Sequence, residues 1–141
     1  MPRLTHYAIA TAHMDKTLHF YCGFCAMRIV HNRVKATRIS WLAPKHESSP
    51  ILVVIEHPEI PYCQTNSDSM LRHFGFELGS QEEVNEVFEM LKANGYNPTK
   101  PVFVDEITGY ICMVQDPDGR WVEFSFGQDL REEKWDPIHS S

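Results

Sequence analysis

Four residues stand out for the chemistry that their types and spacing allow. His6 and Glu56 are 50 residues apart (56 − 6), and His73 and Glu123 are also 50 apart (123 − 73). Each falls in a run with strand patterning: His6 in "RLTHYAIA", Glu56 in "PILVVIEHP", His73 in "MLRHFGFEL" and Glu123 in "DPDGRWVEFSF". Two imidazoles and two carboxylates brought together suit Fe(II), Mn(II), Ni(II), Zn(II) or Co(II). They suit a structural zinc poorly, because such sites favour thiolates and closed tetrahedral geometry. Four protein ligands on an octahedral cation leave two positions for adjacent oxygens of one substrate. Positive charge there stabilises the negative charge that develops on an enediolate or catecholate.

Taken singly, a strand histidine more often serves structure than coordination, and a strand glutamate more often faces water. The duplicated spacing is what joins the four. At the offset of 67 that superposes the histidines, Leu4 falls on Leu71, Tyr7 on Phe74, Ile9 on Phe76 and Ile55 on Val122. Internal similarity of this kind indicates a repeated module. His13, His19, His31, His46 and His139 have no matching partner and read as surface residues. His57 adjoins Glu56 and reads as a base beside the metal ligands.

The elements that must position these residues follow one order twice. Strand 4–11 leads into a helix capped by Asp15. "RIVHNRV" and "TRISWLA" form a hairpin, and "ILVVIEH" a further strand, which gives β-α-β-β-β. In the second half, strand 70–78 precedes a helix that opens with the capping box Ser80/Glu83 and ends at Gly95. "TKPVFVD" reads as an edge strand because of Pro101. "GYICMVQ", the turn Asp116-Pro117-Asp118-Gly119 and "RWVEFSF" complete the unit. The predicted fold class is α+β, with two βαβββ modules forming a cupped mixed sheet and helices on its outer face. The domain runs 1–128, with module one at 3–58, a linker at 59–69 and module two at 70–128. The charged tail 129–141 follows.

Composition narrows the function. At 141 residues the chain suits one domain, and modules of about 70 residues bury little core alone. The net charge of −6 and pI near 5.7 argue against a nucleic-acid partner. No apolar run is long enough to span a bilayer, and no signal peptide is evident, so the expected compartment is the cytoplasm. Cys22, Cys25, Cys63 and Cys112 read as reduced thiols. "CGFC" at 22–25 has redox spacing but sits toward a helix C-terminus, where the dipole does not lower a thiol pKa.

The repeat, "LTHYAIAT…DKTLHFY", "LRHFGFEL…EEVNEVFEMLKANG" and "DPDGRWVEF" resemble the vicinal oxygen chelate superfamily over residues 3–128. That superfamily includes glyoxalase I, extradiol dioxygenases, and bleomycin- and fosfomycin-resistance proteins. The resemblance implies one divalent metal (Fe, Mn, Ni, Zn or Co) held by His6, Glu56, His73 and Glu123. It implies a small substrate with vicinal oxygens and a homodimer, the site forming within one chain or across two. The four-ligand set implies glyoxalase-like lyase or isomerase chemistry with Glu123 or Glu56 as base. A three-ligand set of His6, His73 and Glu123 implies an Fe(II) ring-cleavage dioxygenase, with His57 and Tyr110 assisting. A third expectation is a non-catalytic module that sequesters a flat aromatic compound between Trp41 and Trp121. Ala10 and Ile60 stand where glyoxalase I carries its glutathione-binding arginine and asparagine, so glutathione is not implied.

Overall fold

The computed structural model describes residues 1–48, 50–58 and 70–128. The linker 59–69 with Cys63 and Ile60, and the tail with Trp135 and His139, lie outside the described residues. The described chain forms β1 (His6–Thr11), α1 (Met14–Gly23), β2 (Met27–Val34), β3 (Arg38–Pro44) and β4 (Ile51–Glu56), then β5 (His73–Glu77), α2 (Gln81–Ala93), β6 (Val102–Asp105), β7 (Gly109–Gln115) and β8 (Trp121–Phe126). The fold is α+β, as the residue pattern predicts. Each half makes one four-stranded mixed sheet, ordered β1-β4-β3-β2 in the first and β5-β8-β7-β6 in the second.

In both sheets the first and last strands of the module pair in parallel and the remaining pairs are antiparallel. Alternation then gives each sheet a helix-side face and an open face. In the first sheet, Leu52 and Val54 on β4 and Ser40 and Leu42 on β3 are buried on the helix side with Phe20 and Tyr21 of α1. In the second, Val122 and Phe124 are fully buried on that side with Val84, Val87 and Leu91 of α2. The 3.6-residue spacing of these three residues makes the apolar stripe of α2. Ser80 caps that helix by accepting from the Glu83 N–H at 3.1 Å, while the Glu83 carboxylate accepts from the Gly79 N–H at 2.6 Å. Gly95 ends it at φ +87, a left-handed conformation that favours glycine.

The start of α1 departs from expectation. Its N-cap is His13, which makes no side-chain capping bond, and Asp15 lies in the first turn. The Asp15 carboxylate instead pairs with Arg38 at 3.0 Å. The acidic group at this helix end comes from Asp118, which accepts from the Ala12 N–H at 3.0 Å and the Thr17 hydroxyl at 3.3 Å. A carboxylate at a helix N-terminus is favoured by the exposed N–H groups and the dipole, and here it arrives from a remote turn.

That turn also groups with the first half of the chain. The chain divides into two compact units, one of 1–69 together with 116–120, the other of 70–115 with 121–141. Residues 116–120 connect β7 to β8 yet belong to the first unit. Asp116 is buried there and accepts from the Tyr21 hydroxyl at 2.7 Å, from the backbone N–H groups of Asp118 and Arg120, and from the Arg120 guanidinium. Arg120 also donates to the Ala10 carbonyl at 2.6 Å. Burial lowers the Arg120 pKa, but Asp116 beside it raises it further, to a net value above the ordinary one. Burial, and then the charge of Asp116, pushes the Tyr21 phenol well above its usual range. The "DPDGR" run is therefore a clasp on the β1–α1 corner as well as a tight turn.

Cys22 lies in the last turn of α1, and Cys25 lies buried just beyond the helix. Burial raises both thiol pKa values, and Asp116 raises that of Cys25 further. Cys112 is pushed up to about 11 by burial and by the charge of Glu123. Raised pKa values suppress the thiolate that redox chemistry needs. In native protein at pH 8, Cys25 and Cys112 should resist iodoacetamide when mapped by mass spectrometry, and should react once the chain is unfolded. A Cys22–Cys25 disulfide formed under mild oxidation would contradict this.

Candidate functional site

His73 and Glu123 come together. β5 and β8 pair in parallel with His73 opposite Trp121 and Gly75 opposite Glu123, so both side chains lie on the open face of the second sheet. The neighbours Val122 and Phe124 point to the helix side and are buried, which holds Glu123 outward. His73 Nε2 lies 3.8 Å from Glu123 Oε1. That is longer than a hydrogen bond, yet both atoms can reach one cation through bonds of about 2.0–2.2 Å.

Two further features suit a metal pair. His73 Nδ1 lies 3.0 Å from the Met70 carbonyl, which can only accept, so Nδ1 is the donor there and Nε2 is the nitrogen turned to Glu123. Backbone carbonyls fix metal-binding histidines in this way. Gly75 lies beneath the carboxylate. A Cβ there would stand 3.1 Å from Glu123 Oε2 and 3.3 Å from Glu123 Cβ, so glycine makes the space in which the carboxylate rests. Glu123 itself is only 8% exposed.

The first unit does not repeat this pair, although the spacing in the chain is the same. β1 pairs with β4 so that His6 is opposite Ile51 and Glu56 is opposite Thr11. His6 and Glu56 are thus about 16 Å apart along the strands at 3.3 Å per residue. They also lie on opposite faces, since His6 shares the face of Ile51, Val53 and Ile55. The offset between units is 67 at the histidines but 70 at the last strands (121 − 51), which makes Val53 the counterpart of Glu123. The expected pairing of Glu56 with His6 is therefore corrected. His6 does keep one resemblance to His73: its Nδ1 is engaged, by the Thr5 hydroxyl at 2.9 Å.

The two assisting residues also fall elsewhere. Tyr110 is opposite Phe126 on the helix-side face of the second sheet, and its hydroxyl donates to Asn85 Oδ1 of α2 at 2.6 Å. It is not on the face of Glu123. His57 follows β4, its N–H bonded to the Thr11 carbonyl at 2.8 Å, at the end of the strand remote from His6. Within neither unit do three His, Cys, Asp or Glu side chains converge in metal-holding geometry among the described residues.

The open face of the first sheet is a hollow of about 490 Å³ lined by Thr5, His6, Ala8, Trp41, Ile51, Val53 and Ile55. Its walls are apolar apart from Thr5 and His6. Trp41 is flanked by β2: the His31 ring lies 5.0 Å from the indole, and the Arg33 guanidinium 5.2 Å from it. The single sequence marks His31 and Arg33 only as polar strand residues. The β2–β3 register, His31 opposite Trp41, is what places them here.

The two βαβββ units are those of one family. The chain belongs to the glyoxalase/bleomycin resistance protein/dioxygenase superfamily, whose model matches residues 3–124. It is 35% identical over 130 residues to the uncharacterized protein PA2024 of Pseudomonas aeruginosa, covering 92% of this chain and 91% of that one. Among solved structures it is similar to a possible glyoxalase from Bacillus cereus (TM-score 0.69, 20% identity, 89% of this chain and 99% of that one). It is also similar to the fosfomycin resistance protein FosX of Listeria monocytogenes (TM-score 0.70, 18% identity, 91% and 95%). The trypanothione-dependent glyoxalase I of Leishmania major gives a TM-score of 0.65 at 17% identity, covering 90% and 88%. At these identities the structural likenesses establish the fold. No helix among the described residues is long and apolar enough to cross a membrane.

Proposed function

We propose that this protein is a divalent-metal-dependent enzyme that binds a small substrate through two vicinal oxygens. His73 and Glu123 are its central ligands, and His6 is the third. The observation that carries the reading is the His73–Glu123 pair, with Nε2 turned to a shielded carboxylate and glycine clearing the space beside it. A bound cation supplies Lewis acidity to the substrate oxygens. Met70 fixes the ring of His73, and Glu123 is the group in this pair able to take a proton in lyase or isomerase chemistry. The reading includes a homodimer.

A second reading has an observation of its own. The β1–β4 register removes Glu56 from the face of His6. Without Glu56 the proposed ligands are two histidines and one carboxylate, the donor set of non-haem Fe(II) oxygenases. The second reading is therefore Fe(II)-dependent ring cleavage of a catechol.

Protein purified without oxygen should carry about one divalent cation per chain by elemental analysis. His6→Ala should lose most of it, whereas Glu56→Ala should retain it. A wild-type protein that stays metal-free after incubation with Fe(II), Mn(II), Ni(II), Zn(II) and Co(II) in turn overturns both readings. Oxygen uptake by the Fe(II) form on addition of catechol selects the second, and its absence selects the first.

A further inference from the structure

The hollow on the first sheet has a directional charge pattern. Its floor is Ala8, Trp41, Val53 and Ile55, contributed by three strands that share one face. One edge carries His6 on β1. The opposite edge of the sheet carries His31 and Arg33 on β2, which do not line the hollow themselves but lie against Trp41, which does. By the strand registers, every ionisable side chain that β1–β4 place on this face is an imidazole or a cation. Glu56 alternates to the other face, and Asp15 lies on α1, paired with Arg38. Arg33 makes no ion pair among the described residues, and it is exposed.

A guanidinium stacked on an indole is held in place by the ring while its N–H fork stays available. Such a fork recognises a planar carboxylate through two parallel hydrogen bonds. An apolar floor of this size takes a ring system, since small-molecule pockets run about 300–1,000 Å³. We propose that the open face of the first sheet selects small aromatic carboxylates, with the ring against Trp41 and the anion on Arg33. Arg33 is the specificity-determining residue and Trp41 the shelf. His6 at the other edge joins this surface to the proposed metal reading, on which the inference rests for its place in a substrate site.

Calorimetric titration of the EDTA-treated full chain with 2-naphthoate and with its neutral analogue 2-naphthamide tests this apart from any metal. Wild type should bind 2-naphthoate about tenfold more tightly than 2-naphthamide. Arg33→Gln, an exposed change, should abolish that preference by weakening the carboxylate alone. Trp41→Ala should weaken both ligands by about fivefold or more. Equal affinity of wild type for the two ligands, no binding of either at millimolar concentration, or an unchanged preference in Arg33→Gln overturns the proposal. Failure of the metal reading would appear separately, in the elemental analysis.

Discussion

Replacing Asp116 with alanine should destabilise the protein by about 3–5 kcal/mol, the range for removing one partner of a buried ion pair. Its side chain is fully buried, and the paired Arg120 side chain is 12% exposed. Four groups point at this one carboxylate: the Tyr21 hydroxyl, the Arg120 guanidinium, and the N–H groups of Asp118 and Arg120. Alanine would take the counter-ion from a mostly buried guanidinium and one acceptor from a buried phenol. Each is a penalty, because both groups are largely withdrawn from water in the folded chain. Tyr21→Phe removes one donor and leaves the carboxylate its other partners, so about 1.5–3 kcal/mol is expected. Urea denaturation of the two variants against wild type measures the difference. A loss below about 1 kcal/mol for Asp116→Ala would show that the clasp contributes little beyond an ordinary surface pair.

Glu123→Ala should lower affinity for divalent cations by at least about 100-fold, more than the 10–100-fold typical when only an outer partner of a metal ligand is lost. His73→Ala should do the same, and the double variant should be little worse than either alone. The reason is geometric. The two donors face one point from neighbouring strands, and a cation held by only one of them forfeits the chelate. Both variants should keep the wild-type unfolding free energy in urea within about 1 kcal/mol, because neither side chain holds the apolar core, which lies on the other face of β8. Titration with Mn(II) or Co(II) by calorimetry reads the affinity directly. Undiminished binding in Glu123→Ala would remove this pair from any metal site.

Much of this architecture is legible in the residues. The β-branched run at 51–55, the alternation around His73 and Glu123, and the Val84, Val87, Leu91 stripe each reflect a local backbone period, and all three form as expected. Ser80 and Gly95 mark the ends of α2 because capping chemistry acts within a few residues. The family is legible for the same reason: "DPDGRWVEF" is a short run in which turn chemistry and strand alternation meet. Of the candidate site, the His73–Glu123 pair is the part that local pattern located.

What the sequence alone determined is thus the order and type of the elements, and which residues carry ligand-type side chains. The tertiary structure decided which of those residues meet. Equal spacing of 50 along the chain says nothing of register, since loops of different length intervene before the strands pair. A shift of three residues was enough to move Glu56 to the other face and the other end of its strand from His6. The same holds for Tyr110, turned to Asn85, and for Asp116 and Asp118, whose partners lie about a hundred residues back along the chain. Side-chain period belongs to the local backbone. The pairing of strands and the partners of buried charge are set by contacts between segments remote in sequence.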